Sequence, residues 1–324
     1  MSPPSSLERV IVVPRNGYAN RLQAWASSAI LAAQVDVPMS VLWEPEPAAG
    51  AAAADLFAPS VVKRSFLDAD AFLAITGSRH QDLPRYLTVD EGAGFTVLAG
   101  HDRGEQAFMT DLSRMLSEGS VGHTLVIIAG GKFHLPDSGD FVRQRQVFYS
   151  RIEWSDALDE IVGTSLLGRP PFAALHIRQT DRSLEAPTRR SVRGGLQRLR
   201  AESSVGDLFI AADTVTARAE WAAVAAGLGF VPWSLPDPDL DRASVAGALA
   251  ALADWRVLAQ SLAMVYPAAS TFSEEAAVAS GHLDRAIALT ASPARQRLRS
   301  TGRLAQSAFT YPTRAGWLRG SRVG

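Results

Sequence analysis

The chain has no cysteine among its 324 residues, and this absence removes several kinds of site at once. Without thiols there can be no disulfide, no thiolate nucleophile and no cysteine-based zinc site. An excess of charge of one sign is also missing, because 32 lysine and arginine residues balance 33 acidic residues to a formal net charge of −1. No overall field therefore attracts nucleic acid or a membrane surface, and we expect neither as a partner.

Long apolar runs are missing as well. No apolar stretch approaches the roughly 20 residues that a helix needs to cross a bilayer. The chain starts with MSPPSSLE, which lacks the basic region and the apolar core of a signal peptide. The sequence therefore predicts a cytoplasmic protein without a membrane span, and its length favours about two domains.

Strands and helices alternate along the chain, most clearly in its second half. Short apolar runs bounded by turn residues predict buried strands at 9–13, 41–43, 124–129, 172–177, 208–211, 230–233 and 263–266. Helical periodicity predicts helices after the first strand and near 140–165, 190–201, 215–227, 243–260 and 273–290. Residues 60–120 give no clear pattern. The alternation indicates an α/β fold with parallel sheets covered by helices.

A dense polar cluster closes the predicted strand at 172–177. The sequence AALHIRQTD runs from apolar residues into His176, Arg178 and Asp181. In open α/β sheets, ligands bind just outside the carboxyl ends of the strands. The planar guanidinium of arginine suits a phosphate group, so we predict an anion site here. The alternative is a strand end with a surface ion pair between Arg178 and Asp181.

A second candidate anion site, AASTFSEE, follows the predicted strand at 263–266. Thr271 followed three residues later by Glu274 matches a capping box, so a helix is predicted to begin here. Free amide groups and the positive end of the helix dipole form a natural seat for a diphosphate. The carboxylates of Glu274 and Glu275 would repel such an anion unless they point away. Simple helix capping is the alternative.

The turn after the first predicted strand supplies a third element. Gly17 gives the backbone the freedom for a tight turn from strand to helix. Asn20 and Arg21 fall in the first turn of the helix, where an amide and a guanidinium could reach a ligand in a cleft. The alternative is an ordinary turn in which Asn20 caps the helix.

These motifs, in this order, resemble those of the fucosyltransferase superfamily, which includes α-1,6-fucosyltransferases, nodulation fucosyltransferases and protein O-fucosyltransferases. The motifs are GxxNRL after the first strand, HxRxTD in mid-chain and a late STFS, preceded by the helical segment LADWRVLAQS. The resemblance implies the GT-B fold, in which two Rossmann-like domains face each other across a cleft. We assign residues 1–150 to an acceptor-side domain, 151–295 to a nucleotide-sugar-binding domain and 296–324 to a basic tail.

The resemblance also implies roles for individual residues. Arg178 would bind the pyrophosphate of a GDP-sugar and offset charge on the leaving group, with His176 beside the nucleotide-sugar. Asn20 and Arg21 would face the diphosphate or the acceptor from the opposite domain, and Asp254 would approach the base. The phosphate-binding turn would consist of Ser270, Thr271, Phe272 and Ser273.

An inverting sugar transfer needs a base near the acceptor hydroxyl and charge stabilisation at the departing diphosphate. Glu185 lies on the loop after the central motif, one position before the family's catalytic glutamate, where this chain has Ala186. We therefore predict Glu185 as the base and keep Asp181 in reserve. Gln179 stands where the α-1,6 enzymes have a second arginine, which leaves a non-catalytic nucleotide-sugar-binding protein as the alternative function.

No metal or other cofactor is expected. Asp237, Asp239 and Asp241 alternate like the Asp-x-Asp metal motif of GT-A glycosyltransferases, but the adjacent prolines indicate a loop whose side chains point apart. A dinucleotide-binding enzyme is disfavoured because no GxGxxG follows a predicted strand. The predicted activity is metal-independent transfer of a sugar, with fucose one candidate, from a GDP-sugar to a glycan, peptide or small-molecule hydroxyl.

Overall fold

The computed structural model describes residues 7–83, 88–90, 94–100, 104–178, 186–236 and 239–290. Within these ranges the chain forms two β-sheets, each made of strands that are joined through helices. The predicted α/β fold with two Rossmann-like units is confirmed. The predicted boundary between residues 150 and 151 stays a prediction, and the proposed basic tail lies outside the described residues.

The first half of the chain builds one sheet. Its strands, as far as the structure describes them, are β1 (Arg9–Pro14), β2 (Met39–Leu42), β3 (Phe66–Leu67), β4 (Thr88–Asp90), β5 (Phe95–Leu98) and β6 (Thr124–Ala129). They lie in the order β3-β2-β1-β6-β5-β4, and neighbours are parallel except for the β4–β5 pair. The apolar run of β1 is central because valine and isoleucine side chains suit a strand that is buried on both faces.

The helices of the first half are α1 (Tyr18–Gln34), α2 (Ala53–Leu56), α3 (Pro59–Ser65), α4 (Ala69–Thr76), α5 (Glu105–Glu118), α6 (Phe141–Tyr149) and α7 (Asp156–Leu166). The single helix predicted near 140–165 is therefore two helices. Asp140 caps the first one by accepting a hydrogen bond from the Arg143 amide, and Ser155 precedes the second. Residues 60–120, which showed no clear sequence pattern, contain β3, β4, β5, α4 and α5.

The second half builds an all-parallel sheet. The described strands are β7 (Phe172–Ile177), β8 (Asp207–Ala212), β9 (Val231–Trp233), β10 (Met264–Pro267) and β11 (Ala286–Leu289), in the order β11-β10-β7-β8-β9. Its helices are α8 (Arg189–Glu202), α9 (Val215–Ala226), α10 (Val245–Leu258) and α11 (Thr271–Ser280). The order reverses between β7 and β10, and such switch points are where open α/β sheets bind ligands.

The helix predicted near 273–290 is shorter than expected. It ends at Ser280 because Gly281 adopts a left-handed conformation with φ of 74°, a common way of ending a helix. The chain then passes through a short 3-10 turn at Leu283–Arg285 into the edge strand β11.

A continuous hydrophobic core joins the two halves. Leu125 under the first sheet and Phe209 under the second belong to one cluster of buried residues. Aromatic contacts cross between the halves, for example from Tyr149 on α6 to Trp255 on α10, whose ring centroids are 5.6 Å apart. Helix α11 also packs against α1 and α6. No helix in the described part of the chain is both long enough and apolar enough to cross a membrane.

Candidate active site

A cavity of about 670 Å³ lies at the carboxyl ends of the central strands β1 and β7. Residues after β1 line one side of it, from Asn16 to Asn20. His176 and Arg178 at the end of β7, together with Thr271 and Phe272 after β10, line the other side. The three sequence motifs are therefore brought together at one place, as predicted for a ligand site above two sheets.

The end of β7 and the start of α11 are directly connected. The Nδ1 atom of His176 lies 3.0 Å from Oγ of Ser273 and 3.5 Å from Oγ of Ser270. The imidazole also packs against the Phe272 ring at a centroid distance of 5.2 Å. Ser270, not Thr271, is the N-cap, and its Oγ accepts a hydrogen bond from the Ser273 amide at 3.5 Å. The predicted Thr271–Glu274 capping box is therefore not the cap of α11: the N-cap lies one residue earlier, because Ser270 has the extended backbone that an N-cap requires.

His176 is a neutral group in this environment. Burial, followed by the positive charge of Arg178, lowers the pKa of His176 to about 3. The imidazole therefore carries no charge near neutral pH and cannot serve as a cation for a diphosphate. Its contacts with Ser270 and Ser273 hold the first turn of α11 against β7.

Charged side chains of both signs border the cavity. Arg178 follows β7, Arg218 lies on α9, and Arg242 lies in the loop before α10. Aspartates at the cavity wall are Asp213, Asp239 and Asp254. The cavity is therefore mixed in charge rather than simply basic, and the placement of each charge decides what it can bind.

Asp254 and Arg218, which both line the cavity, form a buried pair. Oδ2 of Asp254 accepts a hydrogen bond from Nη2 of Arg218 at 2.6 Å, while Nε of Arg218 donates to the Ala212 carbonyl at 3.2 Å. Burial raises the pKa of Asp254 to about 7, although Arg218 opposes this shift. Within the described part of the chain, Oδ1 of Asp254 and Nη1 of Arg218 have no hydrogen-bond partner. Buried polar atoms normally have partners, so each of these two atoms is left with a hydrogen bond to make.

The α10 face that leads to Asp254 carries only small residues. Gly247, Ala250 and Ala251 line the cavity, and they precede Asp254 by seven, four and three positions, so they share its helix face. A Cβ atom on Gly247 would lie 1.8 Å from the Asp241 carbonyl oxygen. This wall is therefore flat and shallow, which leaves room for a planar group.

On the opposite side, the amino end of α1 faces the cavity. Gly17 is the N-cap and has no side-chain cap, so the first amides of α1 are left for another acceptor. Asn16 precedes it with φ of 70°, in the left-handed region, and its Nδ2 donates to the Gly130 carbonyl at 3.4 Å. Asn20 lines the cavity as predicted.

Arg21 points into the protein instead of the cavity. Its side chain is fully buried, and it donates from Nε to the Asn16 carbonyl at 2.9 Å and from Nη1 to the Glu44 carbonyl at 2.8 Å. Its Nη2 atom lies 3.0 Å from a carboxylate oxygen of Glu46, and its guanidinium stacks over Trp43. The prediction that Arg21 faces the ligand thus does not match its placement, because β2 and the following loop enclose it.

The carboxylates that follow the late motif are directed away from the cavity. Glu274 lies 2.6 Å from Nζ of Lys132, and Glu275 is buried against α1 and α6. Neither residue lines the cavity. Their charges are thus balanced elsewhere, and the amino end of α11 is left free to attract an anion.

The Asp-x-Asp segment is used within its own loop. Asp239 accepts hydrogen bonds from the Asp241 amide at 2.8 Å and from Oγ of Ser244 at 2.6 Å, and Asp241 accepts one from the Ala243 amide at 3.0 Å. Asp237 lies outside the described residues. In the part of the chain that the structure describes, no three histidine, aspartate or glutamate side chains cluster as a metal site would require.

The predicted catalytic carboxylates, Asp181 and Glu185, also lie outside the described residues. Sequence reasoning missed Asp213, Arg218 and Arg242. Asp213 could have been found, because it directly follows the carboxyl end of β8. Arg218 and Arg242 carry no such signal, since one lies on an ordinary helix and the other in a loop.

Comparison with known proteins identifies the fold. No protein-family model and no curated protein sequence matches the chain. Among solved structures, the fucosyltransferase NodZ from Bradyrhizobium aligns with 84% of this chain and 92% of its own, at 14% identity and a TM-score of 0.55. A variant of Arabidopsis thaliana FUT1 in complex with GDP aligns with 85% of this chain and 69% of its own, at 16% identity and a TM-score of 0.58. POFUT1 in complex with GDP-fucose aligns with 89% of this chain and 99% of its own, at 12% identity and a TM-score of 0.52. At these identities the likeness shows the fold, and the chain therefore has the GT-B fold of the fucosyltransferases.

Proposed function

We propose that the chain is a glycosyltransferase that takes its sugar from a GDP-sugar. The observation that carries the proposal is a cavity lined by two chemically different groups. Asp254 contributes a buried carboxylate oxygen that has no partner among the described residues, and Arg178 lines the same cavity together with Thr271 and Phe272 at the amino end of α11. NodZ and POFUT1, which share the fold, have been crystallised with GDP or GDP-fucose.

The carboxylate of Asp254 suits guanine as a hydrogen-bond acceptor. Guanine presents N–H donors at N1 and at its 2-amino group on one edge, and a carboxylate can accept from both. Adenine offers an acceptor next to its amino group on the equivalent edge and would face Asp254 with a mismatched lone pair. The small residues Gly247, Ala250 and Ala251 leave a flat wall for the purine ring.

Arg178 and the amino end of α11 suit the diphosphate. Arg178 can donate two parallel hydrogen bonds to phosphate oxygens, and the first amides of α11 add further donors with the positive end of the helix dipole. The uncapped start of α1 faces the same cavity from the first half. Donors aimed at the departing diphosphate stabilise the charge that develops on it during transfer.

In the proposed reaction the acceptor oxygen attacks the anomeric carbon while the bond to the β-phosphate oxygen breaks. The acceptor proton passes to a base and GDP leaves, so the configuration at the anomeric carbon inverts. We keep Glu185 as this base and Asp181 as the reserve. Fucose is the first donor sugar to test, and the acceptor is a hydroxyl of a glycan, a peptide or a small molecule.

A nucleotide panel tests the proposal. GDP should raise the melting temperature more than ADP, UDP or NAD does, because only GDP combines a guanine edge for Asp254 with a terminal diphosphate for Arg178. A ligand at a hundred times its Kd stabilises the folded state by about 2.7 kcal/mol. Stabilisation by UDP or NAD but not by GDP would overturn the proposed donor.

The same panel separates the enzyme from its alternative. Slow release of GDP from GDP-fucose or another GDP-sugar, measured with and without candidate acceptors, indicates transferase chemistry. A protein that binds GDP tightly but never cleaves any GDP-sugar would be a non-catalytic nucleotide-sugar-binding protein.

Turnover should survive removal of divalent metal ions. Arg178 and the helix amino ends neutralise the diphosphate in the proposed mechanism, so a metal has no charge left to balance. The measurement is the rate of GDP release after exhaustive dialysis against EDTA, compared with the rate after Mg²⁺ or Mn²⁺ is returned. Complete loss of activity that either ion restores would contradict this expectation.

A further inference from the structure

One buried carboxylate on α11 is held entirely by side chains from the first half of the chain. Glu275 has no exposed surface. Its Oε1 atom accepts hydrogen bonds from Nε2 of Gln23 at 2.6 Å and from Arg145, and its Oε2 atom accepts one from the Tyr149 hydroxyl at 2.5 Å. Gln23 belongs to α1, while Arg145 and Tyr149 belong to α6.

The donors of this cluster keep their protons. Burial is the largest single effect and would lower the pKa of Arg145, but the charges of Glu275, Tyr149 and Glu274 and the hydrogen bond to Glu275 together raise this pKa above its ordinary value. Burial, followed by the charge of Glu275, raises the pKa of Tyr149 well above its ordinary value. Arg145 and Tyr149 therefore remain protonated hydrogen-bond donors near neutral pH.

The cluster lies directly behind the cavity. Gln23 follows the cavity-lining residues Gly17–Asn20 by one turn of α1, and Glu275 follows Thr271 by one turn of α11. The Gln23–Glu275 hydrogen bond thus joins the two helices whose amino ends both face the cavity. Because a hydrogen bond prefers a narrow range of lengths and angles, it restricts the separation of these two amino ends.

Other contacts fix the rest of α11 on the same side. Glu274 pairs with Lys132 from the first half at 2.6 Å. At the far end, a Cβ atom on Gly281 would lie 2.2 Å from Nε2 of Gln146, so α6 approaches α11 closely there as well. Helix α11, which begins at the proposed phosphate-binding turn, lies between two strands of the second sheet in the sequence. It nevertheless contacts the first half of the chain along its length.

We infer that Glu275 is a positioning residue that fixes the phosphate-binding turn of α11 against α1 through Gln23, Arg145 and Tyr149. The inference rests on the proposed function, since it concerns how the diphosphate seat is held. A buried ion pair is often no more stabilising than apolar groups of the same shape, which fits a role in geometry rather than in stability. Without the cluster, the amino ends of α1 and α11 can drift apart, and neither then meets the diphosphate at hydrogen-bonding distance.

The test uses mild variants of the full chain. Gln23→Met and Tyr149→Phe each remove one hydrogen bond to Glu275 with little change in volume. We expect each to raise the Kd for GDP and the KM for the donor about tenfold, while the KM for the acceptor and the fraction of folded protein stay unchanged. A merely structural role would lower the fraction of active protein and leave both KM values as they are. Asp159→Asn, which removes an exposed ion pair with Arg256 on α10, is the matched control and should change neither value.

A double variant separates geometry from stability. Glu275→Gln alone leaves Arg145 buried without its counter-charge and should lower the melting temperature. Glu275→Gln combined with Arg145→Gln removes both charges, so we expect the melting temperature to recover while the Kd for GDP stays raised. If both the melting temperature and the Kd for GDP return to wild-type values in the double variant, the inference is wrong. If the double variant fails to fold, wild-type GDP binding by both Gln23→Met and Tyr149→Phe would overturn the inference instead. Absence of GDP binding by the wild type would instead overturn the proposed function.

Discussion

Arg178→Ala should nearly abolish sugar transfer while leaving the fold intact. Arg178 directly follows the buried central strand β7 and lines the cavity beside the amino end of α11. The charge of Arg178 acts on His176, because among the charged groups Arg178 lowers the pKa of His176 most. Removing one donor that stabilises a departing oxyanion costs about 3–4 kcal/mol, or roughly 10²–10³ in rate. The measurement is kcat/KM for the donor, together with the Kd for GDP.

The expected loss at Arg178 depends on its geometry as well as on its charge. Arg178→Lys keeps the charge but cannot donate two parallel hydrogen bonds, so it should also be impaired, though less than the alanine variant. Arg189→Ala, which removes an exposed ion pair with Glu220 outside the cavity, serves as the control. If Arg178→Ala binds GDP and transfers sugar at the wild-type rate, the diphosphate lies elsewhere.

Asp254→Asn should weaken GDP binding by about 10- to 150-fold. In the proposed complex the Oδ1 atom of Asp254, which has no partner among the described residues, accepts from guanine, and hydrogen bonds to a charged partner contribute roughly 1.5–3 kcal/mol. If the asparagine turns its amide nitrogen toward the base, its N–H donors would face the N–H donors of guanine and could not form hydrogen bonds with them. The measurement is the ratio of the Kd values for IDP and GDP, because IDP lacks the 2-amino group. That ratio should fall toward one in the variant.

The pH dependence of binding follows from the same carboxylate. The pKa of Asp254 is about 7 in the ligand-free protein, and the ionised form is the one that accepts from guanine. Affinity is therefore present above pH 7 and is lost as the pH falls through it, by about tenfold between pH 8 and pH 6. Asp254→Asn reports only the titration of the nucleotide itself. Asp239→Asn, which changes a cavity aspartate that is used within its own loop, should keep the wild-type profile and base preference. An Asp254→Asn protein with an unchanged IDP to GDP ratio would remove this carboxylate from base recognition.

Much of the fold could be predicted because its central strands are continuous apolar runs. The strands β1, β6, β7, β8 and β10 all match their predicted positions within two residues. The edge strand β9 was also predicted within two residues, but two other edge strands were missed: β3 has only two residues, and the residues of β11 fell within the helix predicted near 273–290. Short edge strands bury little surface, so they need no long apolar run that could be recognised in the sequence.

The candidate site was predictable only where a motif coincides with a strand end or a helix start. His176, Arg178 and Ser270 are fixed by the ends of β7 and β10, so their convergence follows from the topology alone. Arg21 shows the limit of such reasoning. Its helix position permits a side chain toward the cavity or toward β2, and only the approach of Glu46 and Trp43 in three dimensions decides between them.

The hydrophobic core that runs through both halves also constrains how this scaffold can be recombined. A chimera that joins the first half of one such protein to the second half of another would need matching surfaces from Leu125 to Phe209, not merely a matching linker. Cutting the chain between the sheets would expose the rings of Tyr149 and Trp255 to water in the separate pieces. The two sheets therefore depend on one shared core, and changes in the loops at the cavity would disturb that core less than an exchange of halves.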